Sequence, residues 1–396
     1  MSLTDTPNAN RLHIALFGRR NSGKSSLINA LTGQDIALVS NTPGTTTDLV
    51  SKAMEIQGIG PCLFIDTPGF DDEGELGELR ISRTLKAIEK TDIALLLCED
   101  TTFFHEKEIL ALLKEKNIPV IPVLNKIDIR ENSDHLATYI EEQCKIHPLL
   151  ISAKEKIRIE LIRQAILEKL PSDFGQQNIT GKLVTENDLV LLVMPQDIQA
   201  PKGRLILPQV QTIRELLDKK CLVVTCTTDK FSATLQALAR PPKLIITDSQ
   251  VFKAIYEQKP KESELTSFSV LFAGYKGDIH YYVESATAIE RLTESSRVLI
   301  AEACTHAPLS EDIGRVKLPR LLRKRIGENL QIDMVAGTDF PQDLTPYSLV
   351  IHCGACMFNR KYVLSRIERA REQHIPMTNY GVAIAFLNGI LDQIKY

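Results

Sequence analysis

The chain has 396 residues, 43% of them hydrophobic, and a formal net charge of −3. That length calls for two or three domains rather than one core, no apolar run is long enough to cross a bilayer, and the mild acidity argues against a nucleic-acid binder that works by bulk electrostatics. The first ten residues lack the basic-then-apolar order of a signal peptide, and eight cysteines in a chain this long point to reduced thiols in a cytoplasm rather than a disulfide framework.

The first element is an apolar run at 13–17, followed by Gly18-Arg19-Arg20-Asn21-Ser22-Gly23-Lys24-Ser25-Ser26 and a helical pattern at 27–31. The G-x-x-x-x-G-K-[ST] spacing between strand and helix is that of a phosphate-binding P-loop. Its glycines let backbone N–H groups turn toward phosphate oxygens, and the helix N-terminus adds partial positive charge. Lys24 is expected to reach the β- and γ-phosphates of a nucleotide, and the Ser25 hydroxyl to hold Mg²⁺. The hydroxyl-rich stretch 40–48 reads as a switch loop. One of Thr45, Thr46 or Thr47 would sense the γ-phosphate and Mg²⁺, and Thr46 is favoured.

An alternating segment at 49–56 leads through a turn to an apolar strand at 62–65, which ends in Asp66-Thr67-Pro68-Gly69. Asp66 suits the role of holding Mg²⁺ through water, and the Gly69 N–H that of a γ-phosphate donor. Strands are expected at 92–98 and 119–124, with a helix at 106–116 between them. The second strand runs into Asn125-Lys126-Ile127-Asp128, whose terminal carboxylate can accept from the guanine N1–H and amine, a donor pair adenine lacks. Ser152-Ala153 follows a later strand and would support the guanine O6. Four motifs in this order, each at a strand end, are specific for GTP. Residues 11–170 resemble the GTPase group that includes MnmE, Era and Der. Phe70 stands where Ras-like switches carry glutamine, so the attacking water must be placed in another way. The resemblance also implies K⁺ activation, with Asn21 helping to coordinate the cation beside the phosphates.

A polar, turn-rich stretch at 171–178 marks a boundary. Beyond it, strands at 188–195, 221–226 and 243–248 alternate with helices at 213–217 and 232–239, a small α/β layer without a catalytic set. Cys221 and Cys226 are expected to face a core, and an exposed strand edge makes a homodimer plausible. After a linker-like 259–263, two apolar strands end in Cys304-Thr305-His306 and His352-Cys353-Gly354-Ala355-Cys356. A parallel sheet would bring such ends together at its carboxyl edge. Three thiolates, Cys304, Cys353 and Cys356, suit an iron–sulfur cluster or zinc.

In its order of parts, and in the C-T-H and H-C-G-A-C signatures, the whole chain resembles the HydF family of FeFe-hydrogenase maturation GTPases. The resemblance implies an α/β fold in three domains: a P-loop GTPase domain with a Rossmann-like sheet (1–171), a dimerisation domain (172–262) and an iron–sulfur cluster-binding domain (263–396). It implies a 4Fe–4S cluster on the three cysteines with one iron position weakly held. His306, His352 and Glu311 are candidates for that labile place or for hydrogen-bond partners beside it. It also implies a transient diiron precursor as cargo, the maturases HydE and HydG and the apo FeFe-hydrogenase as partners, and no membrane or nucleic acid. The basic run 315–325 reads as a solvated helix face, as a landing patch for an anionic unit or partner, or as an RNA contact, against which the lack of interleaved aromatics argues. The alternative function is an Era-like, RNA- or ribosome-directed GTPase with a structural zinc site.

Overall fold

Runs of Leu, Ile and Val that are apolar at every position become parallel strands buried on both faces, because helices cover each side of such a sheet. The computed structural model describes residues 6–32, 50–68, 83–100, 102–171, 174–175, 177–195, 205–303 and 313–396. They fall into two units, Met1–Phe174 and Gly175–Tyr396.

In the first unit β1 (Leu12–Gly18), β2 (Val50–Ile56), β3 (Gly60–Asp66), β4 (Ile93–Cys98), β5 (Val120–Leu124) and β6 (Leu149–Leu150) lie in the order β2-β3-β1-β4-β5-β6. β2 runs antiparallel to β3, and the other pairs are parallel. The helices are α1 (Lys24–Thr32), α2 (Phe104–Glu115), α3 (Ser133–Cys144) and α4 (Ile159–Glu168). Alternate residues of β1 feed opposite faces. Leu12, Ile14 and Leu16 pack with Leu27 of α1 and Ile162 of α4, whereas Ala15 and Phe17 pack with Leu113 of α2 and Ile140 of α3.

The second unit holds two parallel four-stranded sheets. One has the order β10-β9-β7-β8, from β7 (Leu189–Val193), β8 (Leu222–Cys226), β9 (Leu244–Thr247) and β10 (Glu264–Ser267). The other has the order β12-β11-β13-β14, from β11 (Arg297–Glu302), β12 (Gln331–Ala336), β13 (Leu349–His352) and β14 (Met377–Asn379). Helices α5 (Leu207–Asp218), α6 (Phe231–Ala237), α7 (Phe252–Gln258), α8 (Phe268–Lys276) and α9 (Ile279–Ala286) precede β11. The basic run lies on a turn of π-helix and α10 (Leu318–Ile326), and α11 (Arg360–Glu372) and α12 (Tyr380–Leu387) close the chain. Leu191, Val193 and Ile245 share one core with Val298, Ile300 and Ile351, so the two sheets form one unit. Among the described residues no helix is long and apolar enough to cross a membrane.

The expected middle domain ends at 262, yet β10 pairs with β9 and carries that sheet to Ser267. The polar stretch 259–263 is a braced turn rather than a linker. Lys259 Nζ donates to the Ser263 carbonyl at 2.6 Å, and Ser263 Oγ to the Pro242 carbonyl at 2.6 Å.

Among the described residues β8 stands at one edge of this sheet, with Leu222 51% exposed and Leu217 of α5 48% exposed beside the turn that leads into it. An apolar parallel edge favours pairing with a second copy. Leu222→Lys is expected to weaken self-association by about tenfold or more, roughly 1.4 kcal/mol, with secondary structure unchanged. Sedimentation velocity over a dilution series checks it.

Candidate functional site

β1 ends at Gly18, and the chain turns through Asn21 (φ 63°) and Gly23 (φ 89°) into α1. Lys24 folds back over the loop, donating to the Gly18 carbonyl at 2.8 Å and the Arg19 carbonyl at 2.7 Å. Ser25 Oγ donates to Asp66 Oδ2 at 2.8 Å, which brings the two expected Mg²⁺ residues together from the P-loop and the end of β3. Burial raises the Asp66 pKa, opposed by the Ser25 hydroxyl and then by the Lys24 ammonium. Asp66 Oδ1 is buried with no hydrogen-bond partner. A buried carboxylate oxygen left in that state beside a serine hydroxyl fits a hard divalent cation. Thr46 and Gly69 lie outside the described residues.

The base side of the site is organised by Asn125, 3% exposed at the end of β5. Its Nδ2 donates to the Ser22 carbonyl at 3.0 Å, and its Oδ1 accepts from Ala153 N at 3.0 Å. One amide therefore braces the P-loop against the loop carrying Ser152. Asp128 is fully exposed, and the Ser152 hydroxyl beside it lowers its pKa first, so the carboxylate stays ionised to accept from a base. Lys126 sits at φ 66° with Nζ 2.8 Å from Glu99. Ser26 is exposed at the start of α1.

Sequence reasoning missed a second brace. The Arg19 guanidinium meets Asp100 at 3.0 Å and Glu106 of α2 at 3.0 Å, and Glu106 is only 2% exposed. The G-R-x-N form of the P-loop carries no local signal for this, because the partners lie more than eighty residues downstream.

The third sheet makes the other site. β11 and β13 are adjacent with Ala301 opposite His352, so the residues after each strand leave the sheet at one carboxyl edge. Ala303 N donates to Cys353 Sγ at 3.0 Å, and Ala355 N, at φ 52°, to the same sulfur at 3.4 Å. A sulfur that collects two backbone N–H groups suits a thiolate ligand of iron, whose negative charge those donors stabilise. Cys353 and Cys356 are half-buried, whereas Cys62, Cys98, Cys144 and Cys221 are buried. Cys226 is half-buried against the shared core. Cys304, His306 and Glu311 lie outside the described residues, among which no group of three or more metal-ligating side chains occurs.

His352 is fully buried, and both ring nitrogens are engaged: Nδ1 with the Cys353 carbonyl at 2.8 Å, Nε2 with Arg366 Nη1 at 2.9 Å. Burial, and then the Arg366 cation, hold its pKa down to about 3, so it is neutral. It serves here as a hydrogen-bond partner of the cysteine loop. At the two ends of the segment that carries Cys304, Glu302 Oε2 accepts from Arg315 Nε at 3.1 Å, and Glu302 Oε1 from Tyr380 Oη at 3.4 Å.

Three family models match the chain. Residues 13–126 match the 50S ribosome-binding GTPase family, residues 179–277 the hydrogen maturase F dimerization domain, and residues 280–395 the hydrogen maturase F tetramerization domain. The last two together span more than half of the chain. The chain belongs to the hydrogen maturase F family.

Its GTPase part is similar to the tRNA modification GTPase MnmE of Dechloromonas aromatica, 39% identical over 159 residues, 39% of this chain and 34% of that relative. It is also similar to the GTPase Der of Wolinella succinogenes, 35% identical over 192 residues, 44% of this chain and 40% of that relative. The chain thus spans well under half the length of these curated relatives. Among solved structures, Era of Aquifex aeolicus bound to GDP and aluminium fluoride matches at 20% identity with a TM-score of 0.35, over 57% of this chain and 98% of that one. The hydrogen maturase F models divide the second unit at 277–280, beyond β10 and α8. They describe its first part by dimerization and its last part by tetramerization, which supports oligomerisation.

A Cβ on Gly23 would strike Asn125 Nδ2, and the left-handed φ penalises any side chain there. Gly23→Ala is expected to weaken GDP binding by more than about tenfold. Titration of a fluorescent GDP analogue against the variant checks it.

Proposed function

We propose that this chain hydrolyses GTP in its first unit and, in its second, binds a 4Fe–4S cluster on Cys304, Cys353 and Cys356, as a scaffold that assembles or delivers a diiron precursor to apo FeFe-hydrogenase. HydE and HydG act upstream in this reading. The observation that carries it is the Cys353 sulfur at the carboxyl edge of β11 and β13, gathering the N–H of the residue just before Cys304, in a hydrogen maturase F chain.

For the GTPase, Lys24 neutralises the β- and γ-phosphates when it swings from its carbonyl partners. Ser25, Asp66 and the switch threonine Thr46 hold Mg²⁺. Asp128 selects guanine, Ser152 and Ala153 support its O6, and the loop N–H groups from Gly18 to Ser26 cradle the phosphates. The Gly69 N–H adds a γ-phosphate contact. Asn21 turns its side chain into the open at a left-handed φ, a placement suited to K⁺ beside the phosphates.

At the other site three thiolates leave one iron with an exchangeable position, which is the chemistry the cluster supplies when bound. The protein's part is to set the cysteine loop and to shield it. Glu302, Arg315 and Tyr380 fasten the ends of the segment bearing Cys304.

Anaerobic reconstitution of the wild type with iron and sulfide is expected to give about four irons per chain and a cubane-type EPR signal, both lost in Cys353→Ala. Stoichiometric zinc without iron would sink the scaffold reading and favour the Era-like one. Separately, exchanging K⁺ for Na⁺ is expected to lower the rate of GTP hydrolysis at least about tenfold, and Asn21→Ala to erase that difference. Equal rates in the two salts would refute K⁺ activation.

A further inference from the structure

We propose that Arg366 is a positioning residue for the cysteine loop, acting through His352; this rests on the reading of that loop as the cluster site. Arg366 lies on α11 and is 1% exposed. Its guanidinium carbon stands 4.7, 4.6 and 4.6 Å from the ring centres of Phe340, Phe358 and Tyr362. Nη2 donates to the Gly337 carbonyl at 2.6 Å and to Tyr362 Oη at 3.2 Å, and Nη1 reaches His352 Nε2 at 2.9 Å. No carboxylate pairs with it among the described residues.

A buried cation without an anion is costly. Here three aromatic faces, a carbonyl and an imidazole offset that cost, and each also fixes the guanidinium in place. The consequence travels by hydrogen-bond polarity. Arginine can only donate, so His352 must present its Nε2 lone pair and carry its hydrogen on Nδ1. That hydrogen is what the Cys353 carbonyl accepts at 2.8 Å. Asn379 Nδ2 donates to the same carbonyl at 3.3 Å. With the Cys353–Gly354 peptide held from this side, the chain turns through Ala355 at φ 52° and returns the Ala355 N–H to Cys353 Sγ. Arg366 thus selects the imidazole tautomer that fixes the peptide plane from which the loop is aimed.

The test is chelator-driven iron release and the reductive midpoint potential of reconstituted full-length protein, for wild type, Arg366→Met, Arg366→Lys, His352→Ala and the double variant Arg366→Met/His352→Ala. Melting of each metal-free protein and its self-association report folding. The expected result is release about ten- to a hundredfold faster and a displaced midpoint potential in Arg366→Met, with partial recovery in Arg366→Lys. The double variant should be no worse than its single parents, because the two residues act in series. A wild type that takes up no iron overturns the cluster reading itself. A wild type that takes up iron, with Arg366→Met matching it in release and potential, overturns the positioning role alone. Additive losses in the double variant do the same. Should Arg366→Met fail to fold, His352→Ala decides: a folded His352→Ala variant with wild-type release and potential overturns the proposal, because Arg366 is argued to act only through that imidazole.

Discussion

The constraint on which the molecule depends is that parallel strands joined by right-handed crossovers send all their carboxyl ends to one side of the sheet. In the first unit Gly18, Asp66 and Asn125 arrive there from β1, β3 and β5, the first and last of them more than a hundred residues apart in the chain. In the second unit the same geometry sets Ala303 against Cys353. The two chemistries therefore need no common sequence ancestor within the chain. Each needs a sheet whose interior is apolar on both faces and whose polar residues begin where the strands stop.

Polar groups at these edges are committed to one another before any ligand is considered. Asn125 spends both ends of its amide on the P-loop and the loop of Ser152. His352 spends both nitrogens on Arg366 and Cys353. Asp66 differs, because one of its oxygens is satisfied by Ser25 and the other is not. In a buried setting a satisfied group is architecture, and an unsatisfied one marks where a ligand belongs. That distinction separates the residues that brace these sites from those placed to contact what they bind.

Much of this was legible in the sequence for a physical reason. Buried parallel strands are short apolar runs, and the strands ending at Leu124, Cys226 and His352 stand within a residue or two of where hydrophobicity places them. Spacing motifs located the phosphate loop because backbone geometry alone fixes which residue types can turn there. Less legible was β10, a four-residue strand with a polar start, whose neighbour Lys259–Ser263 resembles a linker in composition. Arg366 was hidden by its helix, rich in arginine and glutamate like any solvated surface. Phe358, Tyr362 and Arg366 recur every four residues, and that stripe was the available clue. No local pattern reveals the pairing of Arg19 with Glu106, since it exists only once the sheet has closed.

The brace made by Asn125 also bears on the timing of nucleotide exchange. The loop around the phosphates and the loop around the base hang from opposite ends of one planar amide, itself buried at the end of β5. A bound nucleotide then cannot readily let go of its base while its phosphates stay gripped, because loosening one loop strains the other. The grip on the phosphates and the grip on the base are thereby coupled through one side chain.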